Sequence, residues 1–184
     1  MKNWTAIAAW LCALPAAAQT LLPEGSEIRF VTRQMGVPVE GRFTRFAADL
    51  RLDLAQPEAG QVSLTIDTRS IAFPAPDTEA EAARPAWFAS AQFPQAQFRS
   101  RAVKALGGGR FEVSGTLTIK GQARDLVVPV TLAPAVGAGP RSASGQFTLK
   151  RQDFRLGEGE WADLSVVAND VQVRFRLQLA GLGP

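Results

Sequence analysis

Strict alternation of apolar and polar residues limits the fold of this chain more than any other feature. The stretches 62–67, 111–120 and 171–179 place an apolar residue or glycine at every second position, with polar or charged residues between. Successive side chains of a β-strand point to opposite faces, so the pattern predicts strands with one buried face. Weaker alternation and tight glycine-containing connections bring the total to about eight strands. We therefore predict an all-β fold, an antiparallel β-barrel wide enough to hold one ligand.

The long central connection has a different pattern. Thr78 and Glu81 have the spacing of a capping box, so a helix is expected to begin at Thr78 and to end near Pro85. Trp87 and Phe88 then begin a second short helical or turn segment. We expect these one or two short helices to cover one end of the barrel.

The first 18 residues have the features of a secretory signal peptide. Lys2 supplies a positive start, an apolar run of about ten residues follows from Trp4, and small residues lead to Ala18. The run is shorter than the roughly 20 apolar residues of a transmembrane helix. A buried helix or an uncleaved anchor is the alternative. We predict a signal peptide over residues 1–18, a single domain over residues 19–184 and a periplasmic location.

Missing residue types exclude much chemistry. The chain has no histidine, and its one cysteine, Cys12, precedes residue 19, so the commonest general base and the usual transition-metal ligands are absent afterwards. Without Lys2, 19 of the 20 basic residues remain beside 17 acidic ones, a formal charge of +2. No block of five like charges occurs, so nucleic-acid binding is not expected. A carboxylate pair or a lysine is what remains for catalysis, and we predict no metal site and no cofactor.

Two polar groups offer alternatives. Glu158, Glu160 and Asp163 flank Trp161, and a carboxylate pair can serve glycoside hydrolysis, but their closeness in a glycine-rich stretch favours a solvated loop. Four arginines crowd the first two predicted strands: Arg29, Arg33, Arg42 and Arg45. Ordinary outward-facing strand charges are the favoured interpretation, and a site for an anionic head group at the barrel mouth is the alternative.

Several stretches in register carry a resemblance to a known family. The main ones are 86–100, 115–130 and 151–163, and the stretches 26–30 and 41–46 match that family's opening strands. In this order and spacing the chain resembles the YceI family of periplasmic proteins over essentially all of its length after residue 18. Arg155 is a departure, because many relatives have glycine there, and the change is expected to alter a bend or the rim of the cavity.

The resemblance implies a lipocalin-like barrel whose elongated apolar cavity binds polyisoprenoid chains, such as quinones or prenyl phosphates. It carries over no catalytic residues, so the resemblance implies a binding protein and not an enzyme. Twelve residues are candidates for the cavity wall: Phe30, Phe43, Leu64, Ile66, Phe88, Phe98, Val113, Leu117, Phe147, Phe154, Trp161 and Phe175. Aromatic residues in strands also build solid cores, and that is the competing interpretation.

The leading hypothesis for function is therefore a periplasmic carrier that holds an isoprenoid lipid. The alternative is a non-catalytic accessory protein that docks to a membrane redox protein and uses its barrel as a scaffold. A hydrolase would need two acidic side chains facing each other in a cleft. Formation of a homodimer is left open.

Overall fold

Ten antiparallel strands make up most of the computed structural model, which describes residues 19–137 and 139–182. The predicted signal peptide lies outside the described residues. The strands are β1 (Thr20–Gln34), β2 (Val37–Phe43), β3 (Phe46–Arg51), β4 (Gln61–Asp67), β5 (Ile71–Ala72), β6 (Gln95–Gly107), β7 (Arg110–Ile119), β8 (Gln122–Leu132), β9 (Arg141–Lys150) and β10 (Asp170–Ala180). The α-helix is α1 (Pro76–Ala82), and short 3-10 turns lie at Pro57–Ala59, Thr68–Ser70, Arg151–Phe154 and Gly159–Ala162.

Eight of the strands close into a ring. β1 pairs with β10, and the ring continues through β9, β8, β7, β6, β4 and β3 back to β1. The β3–β1 pairing is confined to Thr20 and Asp49, because the second half of β1 pairs with β2 instead. β5 then pairs with β2 outside the ring. The prediction of an all-β antiparallel barrel of about eight strands is confirmed.

The alternating sequence explains how the strands divide inside from outside. On β7, Val113, Leu117 and Ile119 are buried, whereas Thr116 and Thr118 between them are half-buried on the other face. Apolar area leaving water stabilises a fold by roughly 25 cal/mol per Å², so a one-residue slip of register would be strongly disfavoured. The apolar residues of each alternating strand therefore face the barrel interior.

A helix forms in the predicted stretch, but it begins at a different residue. Thr78 is not the N-cap: α1 begins at Pro76 with Ala75 as N-cap, because proline fits the first helical turn, where its missing N–H costs nothing. Trp87 and Phe88 lie in a turn that follows the helix. Among the described residues, no helix has the length and apolar character required to cross a bilayer.

The strand predicted over 41–46 is interrupted in the structure. β2 ends at Phe43 and β3 begins at Phe46. The reason is local, because the Thr44 N–H donates to the Ser70 carbonyl at 3.0 Å and the Arg45 N–H donates to the Ser70 hydroxyl at 3.0 Å. These donors bind a 3-10 turn instead of a strand ladder, and alternation alone does not reveal such a partner.

Candidate functional site

The barrel interior holds two adjoining apolar chambers. The upper chamber, about 160 Å³, lies against α1 and the turn after it, which contribute Ala82, Trp87 and Phe88 to its wall. The lower chamber, about 150 Å³, has Leu132 and Leu182 among its lining residues. Five residues line both chambers and form the waist between them: Ile28, Ile66, Leu117, Phe147 and Val173. The shared residues make the chambers consecutive parts of one interior.

This interior is elongated. Ile119 lines the upper chamber and Phe111 lines the lower one, and both belong to β7. Eight residues of strand at about 3.3 Å each, tilted by about 40° as in small barrels, correspond to about 20 Å along the axis. The shape therefore suits a long narrow apolar molecule and not a compact one.

Eleven of the twelve candidate residues line these chambers. The upper chamber contains Phe30, Phe43, Phe88 and Trp161, the lower chamber contains Leu64, Phe98, Val113 and Phe175, and the waist contains Ile66, Leu117 and Phe147. Phe154 differs, since it is 2% exposed, lies in a buried cluster with Val128 and Leu156, and lines neither chamber. It lies in a 3-10 turn that packs against β8. The contribution of each residue to ligand binding stays a prediction.

Glycines on neighbouring strands allow phenylalanine rings to stay close to the barrel wall. A Cβ built on Gly41 would overlap the Phe30 ring. The same relation holds for Gly115 with Phe98 and for Gly145 with Phe175. Each ring occupies space that a larger residue would take, which keeps the chambers open. Sequence reasoning missed these pairs, although a glycine in the apolar phase of a strand is a visible signal.

Aromatic contacts build the wall of the upper chamber. The Phe30 ring centroid lies 5.6 Å from that of Phe43 and 5.5 Å from that of Phe73, and Phe43 meets Phe88 edge-on at 6.0 Å. These separations fall in the favourable range for aromatic pairs. Phe73 was not among the sequence candidates, because it lies in the connection between β5 and α1, outside an alternating strand.

A buried arginine also lines the upper chamber, and sequence reasoning missed it. Arg151 is 1% exposed, and all five of its N–H groups donate to backbone carbonyls at 2.7 to 3.1 Å. Its acceptors are the carbonyls of Leu156, Gly157, Trp161, Val167 and Ala168. Burial lowers the pKa of the Arg151 guanidinium from its usual value. Arg151 therefore organises the 155–168 segment around one end of the barrel.

A clasp joins that segment to the turn after α1. The Lys120 ammonium donates to the Pro85 carbonyl at 2.6 Å and forms an ion pair with Glu158 at 2.8 Å. Arg155 also binds Glu158 at 2.8 Å, and the hydrogen bonds from Lys120 and then Arg155 lower the pKa of the Glu158 carboxyl. Arg155 has a left-handed backbone with φ of 56°, a conformation that glycine adopts without strain. Glycine would fit that bend.

Two tryptophans complete this covered end. Trp161 and Trp87 have ring centroids 5.8 Å apart, and the Trp161 indole N–H donates to Glu81 at 3.1 Å. Among the described side chains, three buried polar atoms lack a hydrogen-bond partner, and two of them belong to upper-chamber residues, Trp87 and Thr32. The upper chamber therefore combines an apolar wall with a few polar groups, whereas the lower chamber is lined by apolar residues throughout.

The acidic residues around Trp161 do not face one another in a cleft. Glu158 is committed to Lys120 and Arg155, whereas Glu160 and Asp163 are exposed. Asp163 accepts hydrogen bonds from Ser165, which lower the pKa of its carboxyl. Within the described ranges, no group of acidic side chains has an arrangement that would hold a metal ion.

The chain is similar in sequence to a known protein family. The family model for the YceI-like domain matches residues 19–179. The chain belongs to the YceI family. A UPF0312 protein of Shewanella baltica is 31% identical over 154 residues, covering 78% of this chain and 79% of the relative. A UPF0312 protein of Vibrio cholerae is 27% identical over 158 residues, covering 80% and 82%. The resemblance inferred from sequence is confirmed.

Solved structures from three bacteria have a fold similar to that of this YceI-like chain. The crystal structure of Burkholderia cenocepacia BcnA has a TM-score of 0.82 and 38% identity, covering 87% of this chain and 99% of that one. A polyisoprenoid binding domain from Saccharophagus degradans has a TM-score of 0.71 at 19% identity, covering 89% and 98%. A Campylobacter jejuni YceI protein has a TM-score of 0.68 at 20% identity, covering 75% and 82%. The last two likenesses show the fold alone.

Proposed function

We propose that this YceI-like protein is a periplasmic carrier that holds one long-chain polyisoprenoid lipid, of the quinone or prenyl phosphate type, inside its barrel. The observation that carries the proposal is the elongated apolar interior, with its two chambers joined at the waist. The solved neighbour described as a polyisoprenoid binding domain supports the same ligand class. The periplasmic location rests on the signal-peptide pattern of residues 1–18.

The energetics favour a closed apolar site for such a ligand. Each CH₂-sized group gains roughly 0.8 kcal/mol on leaving water, but a bilayer offers the same gain. A carrier therefore competes with lipid through a dry, pre-formed interior and not through many polar contacts. The lower chamber has that character, because its lining residues are all apolar. In this proposal the protein acts by binding, and neither histidine nor cysteine occurs after residue 18.

The polar groups of the upper chamber give the ligand an orientation. Trp87 carries an unpaired indole N–H and Thr32 an unpaired hydroxyl, and buried polar groups without partners are costly. A head-group oxygen that accepts a hydrogen bond from either would remove part of that cost. The head group thus lies in the upper chamber and the chain runs through the waist into the lower chamber.

The test is extraction of the purified protein with organic solvent, followed by mass spectrometry of any copurifying prenyl lipid. Leu117 lines the waist and is 7% exposed, so Leu117→Arg should abolish lipid content by placing a charge in the passage. Thr118→Arg is the matched control, because strand neighbours point to opposite faces. Lipid content that is absent from the unmodified protein and is not restored by incubation with prenyl lipid contradicts the proposal.

A further inference from the structure

Three arginines stand side by side on the outer face of the barrel. In the strand register Arg29 of β1 lies directly opposite Arg42 of β2 and directly opposite Arg174 of β10. All three are exposed. Like charges facing each other across strands are destabilising, so this row lowers stability instead of supporting the fold. We call the outward-facing residues within 27–33, 38–42 and 172–176 the arginine face.

The arginine face has few carboxylates to neutralise it. It contains five arginines, at 29, 33, 42, 174 and 176, and two glutamates, at 27 and 40, a formal charge of +3. Residues 19–184 together carry only +2, so the positive charge is concentrated here. Glu27 is shared by Arg29 at 2.8 Å and Arg176 at 3.0 Å. Among the residues that the structure describes, no carboxylate forms an ion pair with Arg42 or Arg174.

A surface groove of about 470 Å³ adjoins this face. It lies where β1 and β3 separate, and Pro23, Arg42 and Phe46 are among its lining residues. Ile28 and Phe43 line both this groove and the upper chamber. These two side chains therefore border both the groove and the interior of the barrel.

We propose that the arginine face docks on the surface of an anionic phospholipid bilayer and holds the groove against the lipid. Guanidinium groups match phosphate oxygens in geometry and charge, and anionic bilayers attract clustered basic residues. Charge complementarity thus selects the bilayer as the partner, and the groove beside it gives the docking a use. The use rests on the proposed carrier function, whereas the docking is an independent property.

Flotation with vesicles of phosphatidylcholine, with and without phosphatidylglycerol, tests the docking. The protein should float only with the anionic vesicles, and raising the ionic strength should release it, because screening shortens to about 8 Å at 0.15 M salt. Each arginine near an anionic surface contributes about fivefold in affinity, so Arg42→Gln with Arg174→Gln should lower affinity about 25-fold. The melting temperature of this double variant should stay equal or rise, because facing like charges are removed.

The matched control is Arg99→Gln with Arg110→Gln, on β6 and β7. β7 is the fourth strand from β1 in either direction round the ring, so these arginines face away from the row. The control should float like the unmodified protein. Equal loss in both double variants, no flotation with anionic vesicles, or self-association without flotation would overturn the proposal. Uptake of a prenyl quinone without vesicles reports the carrier function separately. It should be unchanged in the control double variant and in Arg174→Gln alone, because none of these arginines lines the groove or the chambers.

Discussion

Replacing Gly41 with alanine should close part of the upper chamber by displacing one aromatic ring. The three atoms nearest to the added Cβ all belong to the Phe30 ring, which it overlaps, and Gly41 has no positive φ that would strain alanine. The ring must therefore move toward the chamber. Alanine also reduces the entropy of the unfolded chain, which alone stabilises by about 0.4–1 kcal/mol. Overpacking costs about 1–3 kcal/mol, so a net destabilisation of about 1–2 kcal/mol is expected.

A double-mutant cycle isolates that contact. In a Phe30→Leu background the smaller side chain leaves room for the Cβ, so Gly41→Ala should become neutral or stabilising. The coupling free energy should then equal the overpacking cost of about 1–3 kcal/mol. Urea unfolding measures stability, and uptake of a prenyl quinone measures capacity. Gly139→Ala, in the connection between β8 and β9, controls for the chemical change itself. Stabilisation by Gly41→Ala with unchanged uptake would refute the reasoning, because the ring would then have had space to spare.

Three further predictions concern the covered end of the barrel. Arg151→Met removes every donor from five carbonyls and should destabilise by about 3–5 kcal/mol in urea unfolding, and a cost below 1 kcal/mol would contradict the organising role. The lowered pKa of Glu158 means that its clasp with Lys120 stabilises fully above the unfolded value near 4.5 and is lost as pH falls through the folded value. Melting temperature should fall in that window and do so less in Glu158→Gln. Arg155→Gly relieves a left-handed backbone by about 1 kcal/mol but loses an exposed ion pair, so thermal unfolding should show stability equal or slightly raised, not lowered by more than 1 kcal/mol.

Features that follow from periodicity were predictable from the sequence. Alternation identified the strands and the face of each that points inward, and the nine candidate residues that lie in strands all line the chambers. Phe88, Phe154 and Trp161 lie in turns, where period-two reasoning does not apply. Phe88 and Trp161 line the upper chamber, whereas Phe154 packs in the buried cluster beside β8. The break at Thr44 depends on an acceptor 26 residues away, which no local pattern reveals.

The least predictable element was the buried charge. In the sequence, Arg151 follows an alternating strand and looks like any surface arginine. Its burial depends on five carbonyls supplied by residues 156–168. Those carbonyls converge only when the segment curls around the guanidinium. Gly157 is one visible trace, because a Cβ there would overlap the Arg151 side chain. Such long-range packing requires glycines that are visible in the sequence, but the sequence does not identify the side chains that those glycines contact.

The most direct test of the carrier proposal uses the two tryptophans of the upper chamber. In protein that begins at residue 19, Trp87 and Trp161 are the only tryptophans, and both line that chamber. Titration with a quinone that carries a polyisoprenoid chain should quench their fluorescence at one equivalent, and the same quinone ring without its chain should not quench at that concentration. Leu117→Arg should abolish the quenching and Thr118→Arg should retain it. Equal quenching by the two quinones, or none by the prenylated one, would contradict the proposal that the apolar interior takes up a polyisoprenoid chain.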